Sequence, residues 1–131
     1  MHDSHWNPLL KLLGLIVMMD GKVYQEEVMA FSKAAKRLQK TLSPDIFLTD
    51  TMIKDWFVNH RKEIKAIVDS LDYDQKLLEI IGPIRGLPEK KLVLKAMVNI
   101  AKSDGSYHTK ENMIIKKAAK YWNINLSDLD L

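Results

Sequence analysis

Apolar residues recur along this 131-residue chain at helical intervals. Leu9, Leu10, Leu12, Leu13, Ile16 and Val17 keep the i, i+1, i+3, i+4, i+7, i+8 spacing that paves one side of a helix, and Val93, Leu94, Ala96, Met97, Ile100 and Ala101 repeat it. Each run leads into Asp-Gly, after which a second stripe begins: Val28, Phe31, Ala35 and Leu38 in one place, Ile115, Ala119 and Trp122 in the other. The pattern predicts two helix-loop-helix units. No segment alternates with period two, so no sheet is expected.

The polar positions punctuate these stripes. Gly21 and Gly105 fall where a helix C-terminus favours positive φ, and Thr109 is expected to cap the helix that follows. Between the units, "SPDIFLTDT" reads as a loop with a capped helix start near Thr49 or Asp50, followed by the long amphipathic "MIKDWFVNHRKEIKAIVDSL". Asp72 with Gln75 predicts a capping box for a helix over 73–81, and Pro88 is expected in the first turn of the helix after "GPIRGLPEKK". The expectation is an all-α, single-domain helical bundle of about six to seven helices, with middle helices over about 49–82.

Shifting the chain by 84 positions lays residues 9–38 on 93–122 with eleven identities in thirty, among them Asp20/Asp104, Gly21/Gly105, Glu27/Glu111 and Met29/Met113. Chance pairing would give about two, so an internal duplication is the better explanation. It predicts a pseudo-two-fold arrangement of the two units.

Composition narrows the functional classes. Hydrophobic residues make up 47% and charged residues 28%, a globular balance for one domain. The absence of Cys excludes disulfides, thiolate metal sites and cysteine nucleophiles, and fits a cytoplasmic protein. The apolar run "LLKLLGLIVMM" contains Lys11 and falls short of the ~20 residues that cross a bilayer, and "MHDSHWNP" before it is not a signal-peptide n-region. It reads as a core helix. A net charge of +3 permits an anionic surface as partner without demanding one. Lys33, Lys36, Arg37 and Lys40, and again Lys110, Lys116, Lys117 and Lys120, could meet phosphates or lipid headgroups, although lysines on an amphipathic helix ordinarily occupy its solvated face. Nucleic acid is not the expected partner. Trp6, Trp56 and Trp122 read as core or rim anchors, and Met18, Met19, Met29 and Met113 as packing filler.

The duplicated carboxylates carry the most chemistry. Asp20 and Glu27, like Asp104 and Glu111, match the back half of a calcium-binding EF-hand loop. The front half fails, because Ile16 and Met18, then Ile100 and Lys102, stand where oxygen ligands are required. Glu27 lies four residues before Phe31 and seven before Ala34, and Glu111 has the same relation to Ile115 and Ala118, which places both glutamates on the inward stripe. Two readings stand. Packed about a pseudo-two-fold axis, the four carboxylates would converge on an all-oxygen site suited to calcium, magnesium or manganese. Alternatively each Asp accepts backbone N–H bonds within its turn and each Glu complements a helix N-terminus. His108 precedes Glu111 by three and is a candidate ligand or a turn residue; its counterpart is Tyr24. His2, His5 and His60 form no ligand spacing, and no H-E-x-x-H or activated-serine motif occurs, so no catalytic residue is assigned. The enzymatic alternative is a metal-dependent hydrolase using the same carboxylates with His108.

An apolar helix, Asp-Gly, a hydrophobic residue soon after, Glu, and a helix ending in "KAAKRL" or "KAAKYW" together resemble the TerB-like family, named for a tellurite-resistance protein and also seen at the N-terminus of DjlA-type co-chaperones. The resemblance covers both copies and nearly the whole chain. It implies an all-helical bundle with internal pseudo-symmetry, divalent-cation binding by Asp20, Glu27, Asp104 and Glu111, and no enzymatic activity. It further implies a module in tellurite and chemical stress response, working through a protein partner in the cytoplasm or at the membrane periphery. The family's Asp usually follows Ala, whereas Met19 and Ser103 stand there in this chain. A tellurite-reducing site would want thiols, which the chain lacks.

Overall fold

The computed structural model describes residues 6–19, 25–42, 48–103 and 109–129. Asp20, Gly21, Asp104, Gly105 and His108, on which several of the expectations above fall, lie outside the described residues. Among the described residues six α-helices form: α1 (Trp6–Met18), α2 (Gln25–Leu42), α3 (Asp50–Val68), α4 (Tyr73–Ile81), α5 (Lys90–Lys102) and α6 (Thr109–Tyr121). Short 3-10 turns cover Pro83–Gly86 and Leu126–Leu129, and no strand occurs among the described residues.

Helix α1 is the axis of the bundle, packing against α2, α3, α4 and α5. Its sequence dictates this position, since Leu9, Leu10, Leu12, Leu13, Leu15, Ile16, Val17 and Met18 surround it and all are buried. A helix apolar on every side must be covered on every side. Its one basic residue, Lys11, reaches outward to Glu63 of α3 at 2.7 Å. Gly14 allows α3 to approach closely: a Cβ there would stand 2.8 Å from Ile64 Cδ1. The equivalent stripe of α5 is likewise buried, from Val93 through Ala101. No helix among the described residues is long and apolar enough to cross a membrane.

The helix boundaries follow local chemistry, with three departures from expectation. Thr49, in extended conformation, caps α3 as expected by accepting from the Met52 N–H at 3.1 Å. The first residue of α3, Asp50, then ties it to α2, accepting from Ser32 Oγ at 2.7 Å and Lys36 Nζ at 2.8 Å. Asp72 occupies the N-cap position of α4, but the expected capping box does not form. Its backbone (φ −102°, ψ 36°) is not extended, and its carboxylate accepts the Ser70 hydroxyl instead. Pro88 lies in the turn before α5, whose N-cap is Glu89, while Pro83 takes the first-turn role in the 3-10 segment. Helix α6 begins at Thr109 itself rather than after it.

The end of α6 is a Schellman motif. Asn123 has φ 58°, its N–H donates to Lys120 O at 3.2 Å, and the Ile124 N–H donates to Ala119 O at 2.8 Å. Beside it the indole of fully buried Trp122 donates to Ile81 O at 2.8 Å, satisfying a terminal carbonyl of α4 from across the core. Trp122 is thus a core anchor and half-buried Trp56 a rim one, as expected. Met18 and Met19 pack in the core. Met29 and Met113 do not: they are 51% and 64% exposed, because both follow an inward glutamate by two residues and so point to the other side of the helix.

The two helix-loop-helix units pack unequally. Helix α2 lies broadly against α5, but among the described residues α6 makes no comparably broad contact with α1, as a pseudo-two-fold axis would require. The central helices α3 and α4 flank α1 instead.

Candidate functional site

Glu27 is the third residue of α2 and Glu111 the third of α6. Both have 0% exposure. Their helical faces account for it: one turn on from Glu27 is Phe31 and two turns on is Ala34, and the corresponding positions after Glu111 are Ile115 and Ala118, all four buried. A carboxylate removed from water to this extent needs a proton, hydrogen-bond donors or a cation to compensate its lost hydration. The first turn of a helix offers such compensation through its N–H groups and its dipole. The carboxylate oxygens are also donors of the kind that a hard divalent cation prefers.

Asp20 and Asp104, the other two expected ligands, lie outside the described residues, as does His108. Among the described residues no three His, Asp or Glu side chains gather in a metal-holding group. His60 is occupied elsewhere, with Nδ1 at 2.7 Å from Trp56 O and its ring stacked on Trp56 at 4.2 Å between centroids.

Two surface depressions flank this core. A cleft of about 390 Å³ between α1, α3 and α4 is edged by Lys11, Lys76, Glu63 and Glu79, so it has no preference for either sign of charge. Lys11 holds the Glu63 carboxyl below its usual range by direct hydrogen bonding. The larger depression, about 700 Å³, is a groove between α2 and α5. Ala30, Ala34, Leu38 and Ala96 form its floor, Leu92 lies on its edge, and Lys33, Arg37, Lys40 and Lys95 fringe it. No carboxylate lines it among the described residues.

The groove is the feature that sequence reading missed. Lys33, Arg37 and Lys40 were legible as a basic helix face, but Lys36 of the same run turns away to Asp50. Lys95 joins from another helix, which no local pattern signals. Of the KAA stretch, Ala34 belongs to the floor, while Ala35 is buried in the core.

The family model described as "Tellurite resistance protein TerB" matches residues 8–131. The chain belongs to the TerB family. No curated protein and no solved structure matches it. The match takes in all the helices described above, from within the first turn of α1 to the end of the chain, so both buried glutamates of this TerB domain fall inside it. Membership makes the chain a tellurite-resistance-associated domain.

Proposed function

We propose that this TerB domain is a non-enzymatic module that binds a divalent cation through Asp20, Glu27, Asp104 and Glu111 and serves tellurite or chemical stress response through a protein partner. The observation that carries the cation reading is the complete burial of Glu27 and Glu111 at the same third position of their helices. Glutamate is rarely fully buried, and two fully buried glutamates at matched helical positions call for one shared reason. A bound divalent cation would offset part of the negative charge of the four carboxylates. Calcium, magnesium and manganese are the candidates, since all accept oxygen-only ligation.

The position of the glutamates supports a second reading. The third helical residue is where a capping-box Glu reaches back to the N-cap N–H, so each corner can be a self-contained turn. Calorimetric titration of the three cations into wild type and into Asp20→Asn with Asp104→Asn separates the two. Heat in the wild type that disappears in the double variant supports the cation module. Absence of heat in both leaves two capped turns.

A further inference from the structure

The groove between α2 and α5 plays no part in the carboxylate corners, and its chemistry is of one kind. We propose that it is the docking site for an acidic amphipathic helix of a partner protein. This rests on the reading that the domain acts through a protein partner, and it is independent of the cation.

Three observations select that occupant. The first is charge: Lys33, Arg37, Lys40 and Lys95 are all exposed, and they fringe the groove with no carboxylate among its described lining residues. Glu26, one turn before Ala30 on the same helix, stands at the end of the groove rather than in it. The neighbouring Lys36 is already paired with Asp50, so the fringe consists of the cations left facing outward. The second is shape. Ala30, Ala34 and Ala96 are small side chains on α2 and α5 that leave room above an apolar floor, and Leu92, 41% exposed, offers apolar contact at the edge. The third is length. The lining residues of α2 run from Ala30 to Thr41, a rise of about 16 Å, which matches about eleven residues, or three turns, of a helix laid alongside. An apolar floor between basic edges accommodates a helix whose one face is Leu-like and whose flanks carry Glu or Asp.

A bilayer or a nucleic-acid duplex fits less well. Either would engage the lysines, but a phosphate backbone makes no use of the apolar floor of Ala30, Ala34, Leu38 and Ala96, and attraction to lipid headgroups makes none either. Electrostatic attraction alone would also leave Leu92 without a role.

The test uses a fluorescein-labelled peptide of about eleven residues with Leu at i, i+3, i+4 and i+7 and Glu on the flanks. Its scrambled isomer, phosphatidylcholine vesicles containing phosphatidylserine, and a short DNA duplex serve as comparisons. Wild type is expected to bind the amphipathic peptide and not its scramble. Lys33→Glu with Lys95→Glu should weaken binding by about tenfold or more, because two attractive contacts become repulsive. Lys62→Glu with Lys116→Glu changes the net charge equally on α3 and α6 and should leave affinity within about twofold. Leu92→Ser, at a partly exposed site, should weaken the peptide about threefold without altering vesicle association. Circular dichroism melts establish that each variant is folded. Binding to vesicles or duplex without binding to the peptide overturns the proposal, as does equal binding of peptide and scramble. Peptide binding that is lost with the α3/α6 pair rather than the groove pair overturns the groove while leaving the partner-binding reading intact. The cation titration decides its own question separately, since none of these substitutions touches the four carboxylates.

Discussion

Gly14 of α1 and Ile64 of α3 lie so close that a methyl group at position 14 would stand 2.8 Å from Ile64 Cδ1. Both residues are sealed in the core, so Ile64 has little room to retreat. Alanine at position 14 gains up to about 1 kcal/mol of helix propensity and loses about 1–3 kcal/mol to overpacking. Gly14→Ala is therefore expected to be modestly destabilising. Gly14→Val adds branched bulk with less propensity gain and should lose about 3 kcal/mol. Urea denaturation of the pair measures the contrast; equal, near-zero losses would mean that α1 and α3 are not in close contact.

Trp122 supplies a hydrogen bond as well as volume. Trp122→Phe leaves Ile81 O without the indole donor inside the core and should cost about 1–3 kcal/mol beyond any packing loss. The loss should appear as a lower urea midpoint. A change below about 0.5 kcal/mol would show that the α4 carbonyl is satisfied without Trp122.

Alkaline titration should single out Tyr73. Burial, aided by the nearby negative charge of Asp74, pushes its phenol up to about 12. Its hydroxyl is directed at Met19 Sδ, 3.8 Å away. Because the folded protein disfavours the phenolate, Tyr73's contribution to stability is complete below pH ~10 and is lost as pH rises through about 12. Absorbance titration of the folded protein should contain a component near pH 12 that Tyr73→Phe removes.

Asp50 has the opposite sign. Hydrogen bonds from Lys36 and Ser32 hold its carboxyl below the usual range, so the stability they add is present above pH ~4 and fades as pH falls through the lowered value. Asp50→Asn should flatten that part of the acid limb in pH-dependent melts. An unchanged acid limb would show that the α2–α3 clasp is not formed in solution.

The helices were legible because apolar periodicity is a local signal: the stripes from Leu9 to Val17 and from Val93 to Ala101 are buried as their spacing required. Their assembly was not. Nothing in the spacing indicates that α2 lies on α5 while, among the described residues, α6 does not lie comparably on α1. The same limit hid the basic groove, whose four cations come from two helices about sixty residues apart. Side-chain capping was only half readable, since Thr49 found its N–H but Asp72 had a nearer donor in Ser70. Of the four expected ligands, the two glutamates are inward as their position on the stripe implied.

The central claim is that the buried glutamates serve a cation. Its most direct measurement is thermal melting of chelator-stripped protein with and without excess calcium, magnesium or manganese, for wild type and for Glu27→Gln with Glu111→Gln. A ligand at a hundred times its Kd adds about 2.7 kcal/mol to the folded state. At least one cation should raise the wild-type midpoint by several degrees and leave the double variant unmoved. Identical wild-type melting in all three cations and in chelator would contradict the claim.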